Sequence, residues 1–270
     1  MILFPNCKIN LGLYVTGKRP DGYHNIETCF YPIPLQDVLE IIEQPDATET
    51  TLSLSGITIE QSSNNSCLKA YALLKKDFPQ LTPVQIHLHK AIPVGGGLGG
   101  GSADAAFTLL LLNKKFELRL NDEQLIQYAS QLGSDCAFFI KNTPCLASGR
   151  GEILQPITLD LSEYKIVLVN PGLHIDTGWA YKQITIDAPK KSLAEMFSQP
   201  VEEWKANVFN VFETPIFQTY PSIKEIKDTL YSKGAVYAAM TGSGATVYGL
   251  FKKSDVVTFD FPPHYLVKEC

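Results

Sequence analysis

Residues 95–101 read GGGLGGG, six glycines in seven positions. Such a run is costly, because glycine loses more backbone entropy on folding than any other residue. It is retained where the backbone must approach something closely or take a positive φ. The segment before it alternates Val84, Ile86 and Leu88 with Gln85, His87 and His89, the period of a strand. The segment after it, SADAAFTLLLL, predicts a buried helix from about Ser102. A glycine loop at the mouth of a helix adds bare N–H groups to the helix's own unpaired amides and positive dipole end, a combination suited to a phosphate chain. The alternative is a tight turn that lets strand and helix pack closely, for which one or two glycines suffice. The common phosphate loops do not match. A lysine follows the last glycine of a Walker A motif, whereas Ser102 stands here. Gly95, Gly97 and Gly100 fit GxGxxG, but a dinucleotide fold places its glycines directly after the strand, and Lys90 to Val94 intervene. Neither HRD nor DFG occurs, which removes the protein kinases.

The 270 residues, 45% hydrophobic, suffice for one large domain or two lobes, with a soft boundary near Gln155–Thr158. A net charge of −5 without a lysine-arginine cluster argues against a nucleic-acid partner. The longest apolar stretch, Ala105 to Leu112, is too short to cross a bilayer. The first residues, MILFPNCK, carry no secretory signal pattern. Six scattered cysteines without a CxxC pair lead us to expect reduced thiols and a cytoplasmic protein. His87 and His89 read as polar residues on a solvated strand face.

Cys7, Ile9, Leu11, Leu13 and Val15 alternate with Lys8, Asn10, Gly12 and Tyr14. That period puts Lys8 and Asn10 on one strand face, roughly 7 Å apart. Residues 16–25 are dense in turn formers and read as a loop. Helices are expected from Asn64 or Asn65 to about Phe78, over NDEQLIQYASQLG with Gly133 as its stop, and over Pro221 to Ser232. YKIVLVNPG reads as a strand, and AVYAAMTGSGATVYGLF as two strands joined by a second glycine turn. Strands and helices interleave throughout, so the chain is α+β.

Three motifs carry a resemblance. PVGGGLGGGSADAA is similar to the second motif of the GHMP kinases, and MTGSGATVYGLF to their third. PNCKINLGLYVTGKRPDGYHNIET, with its lysine-x-asparagine pair and DGYH, resembles the branch that phosphorylates 4-diphosphocytidyl-2-C-methyl-D-erythritol in the non-mevalonate route to isopentenyl diphosphate. The chain departs from that pattern at Cys7, at GSDCAFF, and from Gly178 to Asn207.

The resemblance implies a GHMP kinase fold of two lobes with a cleft. Residues 1–156 would form the N-terminal lobe with its glycine loop, and 157–270 a ferredoxin-like C-terminal lobe. It implies ATP and Mg2+ as cofactors, and transfer of the γ-phosphoryl to the tertiary 2-hydroxyl of the substrate. Pro93, Val94, Gly95, Gly96, Gly97, Leu98, Gly99, Gly100, Gly101, Ser102 and Ala103 would hold the nucleotide, with Ser102 also contacting the metal. Asp135 matches the general base and Lys8 the catalytic lysine. Asn10 would orient the substrate, Tyr23 stack on the cytosine and His24 bond its edge. IDTGWAY would bring Thr177 and Tyr181 to the same ligand. Each position also has a plainer reading. Lys8 fits a solvated strand residue, Asp135 and Ser102 fit helix caps, Tyr23 a loop anchor, His24 a turn cap, and Gly242 and Gly244 an ordinary hairpin. Two other functions remain open on the residues: another GHMP kinase such as homoserine kinase, and a nucleotide-binding sensor without catalysis.

Overall fold

The structure, a computed structural model, describes residues 1–59, 64–186 and 191–270. Part of the poorly matching segment, residues 187–190, therefore lies outside the described residues. The described chain gathers into two compact units, each assembled from several stretches.

The first unit comprises residues 1–7, 34–94 and 99–143. Its sheet has the order β1-β4-β6-β5, with β1 Ile2–Leu3, β4 Val38–Glu43, β5 Thr51–Gly56 and β6 Val84–Lys90. β6 pairs antiparallel with β4 and parallel with β5. Its inward residues Val84, Ile86 and Leu88 are fully buried. On the other face His87 bonds Ser53 and Ser55, and His89 bonds Ser55, so the two histidines belong to a hydrogen-bonded ladder rather than a merely solvated face. Four helices complete the unit: α1 Ser66–Asp77, α2 Gly100–Lys115, α3 Asp122–Leu132 and α4 Cys136–Lys141. Asn65 caps α1 by accepting from the Cys67 N–H, and Asn121 and Gln124 close a capping box on α3, which Gly133 ends. Helix α2 is buried along most of its length, from Ala103 to Leu112. It begins at Gly100, earlier than the expected Ser102.

The second unit comprises residues 8–33, 95–98 and 144–270. Strand β2, Asn6–Lys18, enters it at Lys8, and β3, His24–Gln36, leaves it after Ile33. With β7 Cys145–Ser148 and β8 Ile153–Pro156 they form a sheet of order β2-β3-β7-β8. Strand β2 is buried on both faces from Asn6 to Val15. It also continues to Lys18, so the loop expected over 16–25 shrinks to a turn over 19–23.

A second sheet of this unit has the order β10-β11-β9-β12, all antiparallel, with β9 Tyr164–Asn170, β10 Tyr237–Met240, β11 Val247–Lys252 and β12 Leu266–Glu269. Taken from β9, that is the 4-1-3-2 order of a ferredoxin-like sheet. Between β9 and β10 run the helices α5 Thr177–Gln183, α6 Leu193–Phe197, α7 Trp204–Asn207, α8 Glu213–Thr219 and α9 Pro221–Ser232. Ile223, Ile226 and Leu230 of α9 join Val167, Val169 and Val247 in the core. The second crossover, between β11 and β12, has no helix. Phe259 packs edge-on to Phe251, and Phe259, Phe261 and Tyr265 stack in sequence at 5.5 and 6.0 Å.

Candidate active site

Lys8 lies in the first half of β2, only 3% exposed. An unpaired ammonium there would be costly, so its surroundings are informative. Nζ donates to Asn10 Oδ1 at 2.6 Å and to the Gly97 carbonyl at 3.2 Å, and sits 5.0 Å above the Phe30 ring. The spacing of two along the strand thus brings Lys8 and Asn10 together, and the solvated reading of Lys8 fails.

Asn10 is held from every side. Its Nδ2 donates to Thr28 Oγ1 at 2.9 Å, and Thr28 donates onward to the Gly12 carbonyl. Its N–H donates to Thr241 Oγ1 at 2.9 Å, and Thr241 in turn donates toward Asn10 Oδ1 and the Gly97 carbonyl. Tyr248 OH donates to the Asn10 carbonyl. Thr28 and Thr241, both fully buried, went unnoticed in the sequence. An isolated threonine in a strand carries no pattern, though Thr241 does open the TGSG turn.

The glycine segment 95–98 is fastened through its carbonyls. Thr246 N–H reaches Gly96 O at 3.3 Å, Lys8 Nζ and Thr241 Oγ1 reach Gly97 O, and Lys8 N–H reaches Leu98 O at 3.0 Å. Conversely, no N–H from Gly95 to Ser102 finds an acceptor among the described residues. Gly97 has φ +77°, and a Cβ there would lie 2.1 Å from the Thr241 carbonyl oxygen, so only glycine fits. A Cβ on Gly242 would come within 3.1 Å of Gly97 Cα. The second glycine turn therefore packs on this segment, which an ordinary hairpin does not require.

In the first unit, Gly99 takes φ +72° as the N-cap of α2 and offers no side-chain cap. Ser102 is then the third helical residue and not the cap. The helix starts with Gly100 and Gly101, whose N–H groups are left bare as the first donors of a helix. Pro93 and Val94 lead into the loop, Val94 being 63% exposed, and Ala103 is buried.

Asp135 occupies the N-cap position of α4 without making a capping hydrogen bond. Beside it, burial pushes the Cys136 thiol up to about 11. A hydrogen bond with Ser102 pulls it down, and the Asp135 charge pushes it up again. Ser102, Cys136 and Asp135 are therefore neighbours. Among the described residues no group of three or more His, Cys, Asp or Glu side chains forms a metal cage.

The turn 19–23 is stiffened from within. Arg19 N–H donates to the Tyr23 carbonyl, Gly22 N–H to the Arg19 carbonyl, and Tyr23 N–H to Asp21 Oδ1. Tyr23 is 57% exposed, which excludes an anchor to the core, and the Arg150 guanidinium lies 5.1 Å from its ring centre. His24 stacks on Tyr181 at 4.9 Å and 18°, and Tyr181 meets Phe212 edge-on. Thr177 begins α5 and shares a hydrogen bond with Ser243 at 2.9 Å. The second unit thus joins His24 to Tyr181, Thr177 to the glycine turn, and Lys8 to Asn10 and Gly97. Tyr23, next to His24 in the chain, faces Arg150.

The comparisons agree with these motifs. The GHMP kinases N terminal domain matches residues 65–143 and the GHMP kinases C terminal domain residues 191–258. A 4-diphosphocytidyl-2-C-methyl-D-erythritol kinase from Bacteroides fragilis is 55% identical over 260 residues, covering 96% of this chain and 94% of its own. One from Azobacteroides pseudotrichonymphae is 51% identical, covering 99% and 100%. A crystal structure of 4-(cytidine 5'-diphospho)-2C-methyl-D-erythritol kinase superposes with a TM-score of 0.80 at 31% identity, over 93% of this chain and 90% of that one. With both domain matches, relatives above half identity over nearly full length, and the ferredoxin-like strand order, the chain belongs to the GHMP kinases, in the 4-diphosphocytidyl-2-C-methyl-D-erythritol kinase family.

Proposed function

We propose that the protein transfers the γ-phosphoryl group of ATP to the tertiary 2-hydroxyl of 4-diphosphocytidyl-2-C-methyl-D-erythritol, giving the 2-phosphate and ADP, in the cytoplasm and within the methylerythritol phosphate route to isoprenoids. In this reading residues 1–156 are the nucleotide-binding lobe and 157–270 the C-terminal lobe, and the family matches fall on either side of that boundary. The observation that carries the reading is the contrast within the glycine loop: carbonyls fastened to the scaffold, amides from Gly95 to Ser102 without acceptors among the described residues. Gly96, Leu98 and Gly100 are buried, and buried N–H groups are almost always paired. A phosphate chain supplies the acceptors they lack.

Phosphoryl transfer is mostly positioning and charge stabilisation. The loop amides and the start of α2 hold the ATP phosphates. Asp135 takes the proton from the 2-hydroxyl as its oxygen bonds the γ-phosphorus and the bond to the ADP oxygen breaks. Lys8, held in place by Asn10 and the Gly97 carbonyl, stabilises the developing negative charge. Asn10, Thr177 and Tyr181 orient the substrate, Tyr23 stacks on the cytosine and His24 bonds its edge. Mg2+ would be carried in with the nucleotide, and the Ser102 hydroxyl, hydrogen-bonded to Cys136 next to Asp135 in the chain, is a hard oxygen donor of the kind this ion takes. When bound, it neutralises phosphate charge.

The test is ADP release from ATP with a panel of alcohols: the cytidyl tetritol, its uridyl analogue, the free tetritol, homoserine and mevalonate. We expect turnover with the cytidyl substrate and poor turnover with the others. Preference for homoserine or mevalonate would move the protein to another branch of the family. ATP binding without turnover of any acceptor would make it a sensor.

A further inference from the structure

Beneath the start of α2, inside the first unit, lies a charged array that the mechanism above does not use. Asp37, Lys90 and Asp104 are 0%, 2% and 2% exposed. Lys90 is the last residue of β6, and its ammonium bonds Asp37 Oδ2 on one side and Asp104 Oδ2 at 2.7 Å on the other. Asp37 Oδ1 accepts the N–H groups of Ala91 at 2.6 Å and Ile92 at 2.9 Å. The Asp37 N–H is itself fixed to the Pro5 carbonyl. Asp104 stands in the second turn of α2, where Thr108 Oγ1 and the Cys67 thiol donate to its carbonyl. Its carboxylate Oδ1 has no partner among the described residues. A Cβ on Gly100 would lie 3.4 Å from Lys90 Nζ, so the ammonium sits directly under the helix start.

Three buried charges are a poor way to stabilise a fold. Well-packed apolar side chains of similar volume usually serve as well or better. What apolar packing lacks is direction, since hydrophobic attraction does not fix distances between particular atoms. This array ties residues 90–92 and the first turns of α2 to Asp37, just before β4. Residues 90–92 are the entrance to the loop and the start of α2 is its exit, and one ammonium ties them together.

We propose that Asp37, Lys90 and Asp104 are positioning residues that clamp the two ends of the phosphate-binding loop and so hold its unpaired amides at the spacing that ATP requires. The inference rests on the reading of that loop as the seat of the ATP phosphates. It assigns the array a role in nucleotide affinity, separate from folding and from the alcohol substrate.

The test compares wild type with the triple variant Asp37→Asn, Lys90→Met, Asp104→Leu. Asparagine keeps the Oδ1 acceptor for Ala91 and Ile92, and no buried charge is left uncompensated, so the fold should be retained. We expect near-native thermal unfolding, an unchanged KM for the cytidyl alcohol, and a KM for ATP raised about tenfold to hundredfold, the scale of an ångström-sized misplacement. Amide hydrogen exchange at Ala103, whose N–H bonds the Gly99 carbonyl at the exit of the loop, should quicken while other segments keep their protection. The single conservative variant Asp104→Asn, which retains an acceptor for Lys90, should keep most of the ATP affinity. A folded triple variant with native KM for ATP and native exchange at Ala103 overturns the clamp. Should the triple variant not fold, Asp104→Ala decides, because it leaves the Asp37–Lys90 pair intact: its KM for ATP must rise well beyond that for the alcohol, and equal changes overturn the proposal. If wild-type protein shows no saturable ATP binding, the reading of the loop fails, and the exchange measurement still reports on the clamp.

Discussion

A lysine buried in the middle of a strand survives only in company, and Lys8 has it in Asn10, the Gly97 carbonyl and the Phe30 ring. Because these partners are fixed by Thr28, Thr241 and Tyr248, the ammonium is held in place before any ligand arrives. Lys8→Met should therefore lower kcat far more than it raises the KM for ATP. Asp135→Asn should leave ATP binding nearly intact and cost about 10²–10⁴ in turnover, the usual loss when a general base is removed. Steady-state kinetics with separate ATP titration distinguishes these outcomes from a simple binding defect. If Asp135→Asn turned over within a few-fold of wild type, that residue would not be the base. Tyr23 is a different case, a ring presented to solvent on a stiff turn. Base–aromatic stacking is worth about 1–3 kcal/mol, so Tyr23→Ala should raise the KM for the cytidyl substrate by roughly five- to hundredfold and leave that for ATP alone. Equal kcat/KM for cytidyl and uridyl substrates would remove base reading from this turn and from His24.

At the level of elements, the glycine loop works because its two halves are built differently. Residues 95–98 are fastened by carbonyls, and residues 99–102 open a helix with a left-handed glycine as its cap. Gly97→Ala tests the first half: it puts a methyl group 2.1 Å from the Thr241 carbonyl at a φ of +77°, a conformation that alone costs of order 1–3 kcal/mol. Calorimetry should show ATP affinity reduced at least about tenfold in protein that still folds, by the arithmetic of 1.4 kcal/mol per decade. Unchanged affinity would show that the loop tolerates displacement. Much of this architecture was legible in advance. The strand-loop-helix order, the strands of the third motif and the helices capped by Asn65 and Asn121 follow from periodicity and capping chemistry that act within a few residues. The misjudged points share one cause, a tertiary partner overriding local preference. Strand β2 runs on through Thr16, Gly17 and Lys18 because β3 lies beside it. Helix α2 starts at Gly100 although glycine is a poor helix former. The pairing of Lys90 with Asp37 and Asp104 spans 53 and 14 residues and leaves no local trace.

For the molecule as a whole, buried acids give stability a pH dependence, and Glu213 is one of them. Glu213 opens α8, accepts the Met240 N–H and pairs with Lys227 at 2.6 Å. Burial nonetheless raises its pKa above the ordinary carboxylate value, more than Lys227 and the Met240 N–H lower it. The folded state then holds this proton more tightly than the unfolded chain. Its contribution is fully present below the unfolded pKa and is lost as pH rises through the folded one. Urea unfolding followed from pH 4 upward should show that loss, and Glu213→Gln, which can still accept from Met240, should flatten it. An identical slope in the variant would assign the dependence elsewhere. The crossover without a helix, residues 253–265, has a further consequence. Its rings bury themselves against one another and Phe251, but Val256 is 95% exposed, and the main chain there lacks the ladder that protects a helix or strand. A protease adding briefly to native protein should cut near Val256 first. The short piece so released from the chain still ends in β12, paired with β9 from Asn170 to Val167. A nick would therefore split the protein on a denaturing gel and leave it one particle by size exclusion, a two-fragment complex closed by its own last strand.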